Sequence, residues 1–367
     1  MNYRWQFDRD FLIRTINDFK IQLLNSSAIS SKKREEMQAT IEEFSFFLDV
    51  LDGNKIKNDF DFDIFSNLKK EDFIILKRLF LSKACKDYNL VGEELINFVI
   101  VLADSFKATI GCDMQYDSDV SPDEIVAHTL EVYDNYLELF SSTARQIIDY
   151  PIRLINFSKN KNKGSECFYT FNLPFINVEE YNKRPNDFIH ELQHGIEKIK
   201  GYNGNIYFKE LGPILSETLY IDKMYEKKDY DAVMLYFERI NECEYILGYL
   251  NKYFLCIKEF QKYNFEVKTV KFVEILERNS FFNSNNVLIS DFLDKNILEL
   301  LMYTLSFLKS LEVRNLIYQD KNKGLKLLNN TLTGKKDKHL TTDKMLNDYD
   351  DYLREIAIKR KKRIYTK

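Results

Sequence analysis

Apolar positions recur at helical spacing over most of the chain. Before residue 107 they recur every three or four positions in the segments 11–24, 31–51, 71–88 and 92–106, which predicts four helices. A fifth helix begins at Ser121, which is a candidate N-cap, with Pro122 in the first turn and Glu124 completing a capping box. The polar, Asp- and Asn-rich residues 53–65 interrupt the pattern and indicate a loop.

The pattern changes to short β-type runs after residue 150. The three runs PIRLINF, ECFYTF and LPFINV are rich in β-branched and aromatic residues and predict short strands. Helical spacing returns from Pro185 onward, with breaks near residues 201–205, 283–286 and 333–338. The sequence therefore predicts a mainly α-helical protein, a large helical bundle that contains one small β-sheet.

Composition supports long helices and excludes two classes of partner. Only 11 glycines and 5 prolines occur in 367 residues, so few turns interrupt the helices. The net charge of −4 and the lack of a basic stripe interleaved with aromatic residues argue against a nucleic-acid partner. The most apolar segment, residues 95–103, is far shorter than a bilayer span, and we expect no membrane partner.

Cysteine usage and the first residues indicate a reducing compartment. The 5 cysteines are widely spaced and form no C-x-x-C pair, which is typical of reduced thiols. The first ten residues include charged side chains and lack the apolar stretch of a signal peptide. We therefore expect a cytoplasmic protein.

The segment NDFIHELQHGIEKIKG carries the main candidate chemistry. His190 and His194 are four residues apart, so on a helix both imidazoles point to one side, as two zinc ligands must. Glu191 is turned about 100° around the helix, where it can act as a base toward a water molecule without binding the metal. The other residues within and directly beside the motif are uncharged, as expected for a helix buried beneath an active site: Phe188, Ile189, Leu192, Gln193, Gly195 and Ile196. The alternative is a helical scaffold in which the histidine pair is coincidental.

A catalytic zinc site needs three protein ligands and one open position. The segment KELGPILSETLYIDKMYEK offers Glu210 and Glu217 as the third ligand. We favour Glu217, because it lies in an apolar run where an unpaired carboxylate would be costly to bury. A role at a helix end is enough to explain Glu210. Asp222 is a candidate partner for a ligating histidine, although we expect a surface carboxylate there.

With these residues in place, the chain resembles the thimet oligopeptidase and oligoendopeptidase F family of zinc peptidases. The resemblance rests on H-E-x-x-H, on the strand segment KGSECFYTFNLPFIN, on the interval from His194 to Glu217, and on LLMYTLSFLKSLEVRNLIYQDKNKGLKLLNNTL. It covers roughly residues 122–332. It implies a zincin-like (gluzincin) fold with the sheet beside the H-E-x-x-H helix, and a zinc peptidase region at 121–367 after an N-terminal helical region at 1–120.

The resemblance also implies a mechanism and a substrate. His190, His194 and Glu217 would hold Zn²⁺, Glu191 would be the general base, and Tyr303 on the tyrosine-bearing helix would stabilise the oxyanion. The substrate would be a peptide extended against an edge strand. The alternative is a pseudopeptidase that keeps zinc and binds a peptide or protein partner. Two departures favour it: residues 281–302 contain no histidine, and MYTLSFL stands where the family has a glycine-rich tyrosine segment. Gln193 and Glu197 are further departures, at positions where the family commonly has Gly and His.

Overall fold

A computed structural model describes most of the chain. The described residues are 9–25, 70–105, 116–151, 154–160, 164–170, 173–279, 296–335 and 342–366, with a few positions between 33 and 45. The helix predicted at 31–51 falls largely outside these residues, and the loop predicted at 53–65 falls wholly outside them.

The described residues are mainly helical, as the apolar spacing predicts. The first helices are α1 (Arg9–Asn25), α2 (Lys70–Val91), α3 (Glu93–Ser105), α4 (Pro122–Tyr136) and α5 (Glu138–Ile148). After the sheet come α6 (Asp187–Ile199), α7 (Leu211–Glu226), α8 (Val233–Gln261), α9 (Thr269–Arg278), α10 (Ile297–Gln319), α11 (Lys321–Leu332) and α12 (Thr342–Thr366). Two short 3₁₀ helices, Ile206–Phe208 and Tyr230–Ala232, precede α7 and α8.

The start of α4 confirms the predicted capping box. The Ser121 side chain accepts a hydrogen bond from the Glu124 backbone N–H at 3.3 Å, and the Glu124 carboxylate accepts one from the Ser121 backbone N–H at 2.8 Å. Pro122 follows the cap, where its missing N–H costs nothing. Local sequence alone determines this helix start, because each group involved lies within four residues.

The three predicted strands form one small sheet. The strands β1 (Ile155–Phe157), β2 (Glu166–Thr170) and β3 (Leu173–Val178) are arranged in the order β1-β3-β2. β3 is parallel to β1 and antiparallel to β2. β2 therefore lies at an edge, and among the described residues no other strand pairs with its outer side.

Contacts divide the chain into two compact units, each built from two separate segments of the sequence. One unit comprises Met1–Gly92 and Lys252–Lys295, and the other comprises Glu93–Asn251 and Asn296–Lys367. In the first unit, Phe80 packs edge-on against Tyr253, Phe260 and Phe272, at ring-centroid distances of 6.0, 5.9 and 5.6 Å.

The second unit contains the sheet and the H-E-x-x-H helix. Its core is built around α6 and α7, whose aliphatic side chains are almost fully buried except for Ile199 at the end of α6. At Gly195, α6 approaches the sheet closely, since a Cβ added there would lie 3.2 Å from the Cβ of Pro174. In the part of the chain that the structure describes, no helix is both long and apolar enough to cross a bilayer.

Candidate metal centre

Helix α6 places both histidines of H-E-x-x-H on one side. His190 is 7% exposed, and the rings of His190 and His194 meet edge to face with centroids 4.9 Å apart. Their Nε2 atoms are 3.2 Å apart. The i, i+4 spacing therefore brings two ring nitrogens to one point, as the sequence predicts.

The carboxylate that meets both rings belongs to Glu210. Glu210 is the N-cap residue of α7 and is 6% exposed. Its Oε2 lies 3.3 Å from the Nε2 of His190 and 3.3 Å from the Nε2 of His194. Among the described residues, these three form the one group of histidine, cysteine or acidic side chains with the spacing of metal ligands.

The geometry of the three atoms fits a tetrahedral zinc site. Zinc binds histidine nitrogen and carboxylate oxygen at about 2.0–2.2 Å, so its ligand atoms are about 3.3 Å apart in a tetrahedral shell. The observed separations of 3.2, 3.3 and 3.3 Å match this value. Glu210 Oε2 is buried and, within the described part of the chain, has no partner that meets hydrogen-bond geometry. The donor set of two imidazoles and one carboxylate is also one that zinc prefers.

Glu217, the third ligand favoured from the sequence, lies on the other side of the His190 ring. Its Oε1 is 3.5 Å from Nδ1 of His190, the nitrogen that faces away from the cluster. The same oxygen accepts a hydrogen bond from Asn186 Nδ2 at 3.2 Å, and the other oxygen accepts one from Arg239. Glu217 can therefore orient a ligating His190, which is the role of an outer partner of a metal ligand.

The two carboxylates make the surroundings of His190 favourable for a cation. Burial lowers the pKa of His190, but the charge of Glu217 and the close contacts of the ring with the Glu210 and Glu217 carboxylates raise it well above its ordinary value. Burial opposes ionisation of Glu217, yet the charges of Arg239 and His190 lower the pKa of that carboxyl to about 2. Burial likewise opposes ionisation of Glu210, but the close approach of both histidine rings holds the pKa of that carboxyl well below its ordinary range. Both carboxylates are therefore ionised beside the rings.

Glu191 lies beside this cluster. It is 9% exposed, and burial raises the pKa of its carboxyl, an effect that the His190 and His194 charges oppose. The charge of Glu210 also raises the pKa of Glu191. Glu191 is therefore near the cluster without sharing its convergence point, as the helical period predicts.

Strand β2 lies across the same helix. The Tyr169 hydroxyl donates a hydrogen bond to the backbone carbonyl of His194 at 3.0 Å. Two residues earlier on the same side of the strand, the thiol of Cys167 is within electrostatic reach of Glu191. The edge strand and the candidate base are therefore neighbours.

Tyr303 lies in the first half of α10 and is within electrostatic reach of the cluster. Burial, followed by the charges of Glu210 and Glu299, raises the pKa of its hydroxyl above the ordinary range. The charge of Glu191 acts in the same direction, and that of Arg239 opposes it. The phenol therefore stays protonated and able to donate a hydrogen bond near neutral pH.

Asp222 differs from both roles considered for it. It is 4% exposed, so it is not a surface carboxylate, and it contacts neither histidine of the cluster. Instead it accepts hydrogen bonds from Arg314 at 2.6 and 2.9 Å and from the Tyr318 hydroxyl at 2.8 Å. Lys359 adds a further contact at 2.8 Å. Asp222 therefore ties α7 to α10 and α12.

The two departures within α6 form a local pair. Gln193 is fully buried, donates to Glu197 Oε1 at 2.9 Å and accepts from the Tyr133 hydroxyl at 3.1 Å. Burial raises the pKa of the Glu197 carboxyl to about 8. A Cβ at Gly212 would lie 1.8 Å from Glu197 Oε1, so this glycine lets the Glu197 carboxyl rest against the first turn of α7.

Comparison with known proteins adds no assignment to this geometry. No protein-family model, curated protein or solved structure matches the chain.

Sequence reasoning did not single out Asn186 or Arg239, and it placed Glu210 second. Asn186 directly precedes α6, and Arg239 lies on α8, far from H-E-x-x-H in sequence. One signal was available for Glu210: it stands seven residues before Glu217, a spacing that puts both on one face of a helix.

Proposed function

We propose that the chain is a zinc-dependent metallopeptidase of the gluzincin type, which hydrolyses peptide bonds in oligopeptides. The observation that carries this proposal is the convergence of His190 Nε2, His194 Nε2 and Glu210 Oε2 at separations of 3.2–3.3 Å. The resemblance of the H-E-x-x-H and strand segments to the thimet oligopeptidase and oligoendopeptidase F family supports the same activity. In this proposal Glu210 replaces Glu217 as the third ligand.

The residues of the site divide the chemistry among themselves. His190, His194 and Glu210 would hold Zn²⁺, which supplies Lewis acidity and a water of lowered pKa. Glu191 takes a proton from the attacking water and delivers it to the leaving amine, as a positioned carboxylate can. Tyr303 donates a hydrogen bond to the oxyanion of the tetrahedral intermediate. Glu217 holds His190 in orientation from its Nδ1 side.

The sheet supplies a place for an extended peptide. The N–H of Ile176 donates to Leu154, and the Val178 carbonyl accepts from Ser158, so these β3 residues bond toward β1. The alternate residues of β3 bond toward β2, where Phe175 is paired with Phe168. By alternation, the N–H and C=O groups of Cys167 and Tyr169 then point to the outer edge of β2.

An edge of this kind binds an extended chain through backbone hydrogen bonds, largely independently of its sequence. Because the Tyr169 hydroxyl donates a hydrogen bond to the backbone of α6, this edge runs beside the helix that carries the candidate base. A peptide paired with the edge would therefore present its backbone to the site.

A digest of a mixed peptide library tests the proposal. Wild-type protein and Glu191→Gln protein, each loaded with zinc, are incubated with the library and the products are read by mass spectrometry. Gln keeps the size of the side chain and is not a ligand, so zinc content should stay equal while cleavage falls by at least about 10²-fold. If neither protein cuts any peptide although both keep zinc and bind peptides, the chain is a zinc-retaining pseudopeptidase.

A further inference from the structure

A cavity adjoins the His190–His194–Glu210 cluster on the Glu217 side of His190. Its volume is about 190 Å³, and Asn186, Glu217 and Arg239 form part of its wall. Leu235 and Tyr352 contribute apolar surface to the same wall. Typical small-molecule pockets measure roughly 300–1,000 Å³, so this cavity is of a size for one side chain rather than a whole ligand.

Asn186, one residue of the cavity wall, has a buried acceptor atom without a partner. The residue is 6% exposed, and its Nδ2 donates to the Glu217 carboxylate at 3.2 Å. The ionised Glu217 carboxylate can only accept hydrogen bonds, so the Asn186 amide atom that faces it must be the donor, Nδ2. Oδ1 is therefore the amide atom that still needs a partner. Within the described part of the chain Oδ1 has no hydrogen-bond partner. Buried polar atoms are rarely left unpaired, and this one therefore indicates a missing donor.

The charges around the cavity favour a donor that is also a cation. Its wall carries three carboxylates and two guanidinium groups: Glu217, Glu238, Glu242, Arg184 and Arg239. Arg239 already donates to Glu217 and, at 2.7 Å, to Glu242. The formal balance of these groups is therefore negative, and an anionic guest would be repelled.

Arg184, the other arginine of the wall, also has a carboxylate partner already. Nε of Arg184 lies 3.3 Å from Asp187, a carboxylate outside the cavity wall. The negative charge of Glu238 is less well compensated. Arg184 and Arg239 stabilise it, but the neighbouring carboxylates Asp187 and Glu242 oppose that effect. A positive group in the cavity would stabilise the Glu238 carboxylate and donate to Asn186 Oδ1.

The cavity is one side chain away from the candidate metal centre. Glu217 lines it and also lies 3.5 Å from His190 Nδ1. Arg239 lines it and acts electrostatically on Tyr303, on which Glu210 and Glu191 also act. Through Glu217, a side chain bound in the cavity would therefore lie one residue away from the candidate metal ligand His190.

We propose that the Asn186 cavity is a specificity subsite that takes the cationic side chain of a Lys or Arg residue of a bound peptide. The inference rests on the proposed peptidase function for its meaning, because it names the class of peptide that the site prefers. Its chemistry is an ammonium or guanidinium group that pairs with Glu238 and donates to Asn186 Oδ1.

Calorimetric titration of the zinc-loaded Glu191→Gln chain tests the cavity without requiring cleavage. The probe is an N-acetylated, C-amidated Gly/Ala peptide with one central Lys, and its twin has norleucine in place of Lys. The Lys peptide should bind at least about tenfold more tightly, the scale of a partly buried charge pair. A norleucine peptide with a free amino terminus should bind like the acetylated twin, which distinguishes a side chain from a chain terminus as the source of the cation.

A matched pair of second substitutions locates the effect. Adding Glu238→Gln should reduce the preference for Lys to less than about threefold, because it removes one charge from the wall. Adding Glu226→Gln, an exposed carboxylate outside the wall, should leave the preference unchanged.

Each outcome either supports or overturns the assignment. Equal affinity for the Lys and norleucine peptides overturns it, and so does the absence of measurable binding of the Lys peptide. A Lys preference that survives Glu238→Gln also overturns it. If the Lys preference is present but wild-type protein cuts no peptide, the proposed peptidase function fails and the cavity assignment stands. If wild-type protein cuts peptides with no preference for Lys or Arg, the proposed peptidase function stands and the cavity assignment fails.

Discussion

Glu210 and Glu217 stand seven residues apart, so they occupy the same face of α7 about 10 Å apart along its axis. The His190 ring lies between them, with Nε2 toward Glu210 and Nδ1 toward Glu217. Their shared face explains why both carboxylates are suitable candidates in the sequence. The position of α6 along α7 decides which of the two glutamates meets Nε2 of His190, the nitrogen that faces His194. That position depends on tertiary packing and cannot be read from the local sequence.

The two carboxylates should respond differently to substitution. Glu210→Ala should abolish zinc binding, because it removes an atom that converges with both histidine nitrogens. Glu217→Gln keeps the size of the side chain and should weaken zinc affinity by only about 10–100-fold, the usual effect of losing an outer partner. Zinc content by elemental analysis, and affinity by competition with a chelator, measure both effects. Full zinc occupancy in Glu210→Ala protein would exclude Glu210 as a ligand.

Tyr303 makes a separate prediction at the same scale. If its hydroxyl stabilises the oxyanion, Tyr303→Phe should lower kcat by about 10²-fold or more at unchanged zinc content. A purely structural tyrosine would lose at most about 1 kcal/mol of stability, with activity little changed.

The matched control for Tyr303 is Tyr318→Phe. Tyr318 is on the same helix but donates to Asp222, away from the cluster, so its loss should affect the melting temperature and not kcat. Near-normal turnover in the Tyr303→Phe variant would remove this residue from the mechanism.

At the scale of elements, α7 and α10 run side by side in the same direction. Tyr303, near the start of α10, is within electrostatic reach of Glu210 at the start of α7, and Arg314, further along α10, bonds Asp222 near the end of α7. The intervals of 12 residues on α7 and 11 on α10 correspond to about 16–18 Å on each helix. The Asp222–Arg314 pair therefore sets the axial position of α10 on α7, and with it the place of Tyr303.

Breaking this pair should be costly. Asp222→Asn leaves Arg314 and Lys359 buried with reduced compensation, and we expect a loss of about 3–5 kcal/mol in the free energy of unfolding. Asp134→Asn, which breaks an exposed pair with Arg145, should cost less than about 1 kcal/mol. Denaturant unfolding measures both, and equal small losses would show that the buried pair contributes little.

The same pair predicts a dependence on pH. Burial opposes ionisation of Asp222, but Arg314 and Lys359 hold the pKa of its carboxyl well below its ordinary value of 3.8. A carboxyl with a depressed pKa in the folded state contributes stability above its unfolded pKa and loses it as pH falls toward the folded pKa. The stability difference between wild type and Asp222→Asn should therefore shrink below about pH 4. A constant difference down to pH 2 would contradict this.

How far sequence predicts structure differs between these elements. The capping box at Ser121 and the shared face of His190 and His194 depend on residues within four positions, and both predictions are confirmed. The burial of Asp222 was missed, because its partners Arg314 and Lys359 are about 90 and 140 residues away in sequence. Local patterns cannot report such a partner.

At the scale of the whole molecule, the candidate zinc ligands all lie in one of the two compact units. His190 and His194 are on α6 and Glu210 is the cap of α7, and all three fall within Glu93–Asn251. Within the described residues, the other unit contains no comparable group of metal-ligand side chains. Zinc should therefore stabilise these two helices directly, because a ligand that binds only the folded site stabilises it by mass action.

Hydrogen exchange read by mass spectrometry should show this locally. At a free zinc concentration of about 100 times Kd the site gains about 2.7 kcal/mol. Backbone amides of α6 and of the first turns of α7 that exchange only when the site opens should therefore slow by about 100-fold. In His190→Ala protein the added zinc should change none of these rates, and helix α9 of the other unit provides an internal reference. Slowing confined to α9, with α6 and α7 unaffected, would place the metal outside the His190–His194–Glu210 cluster.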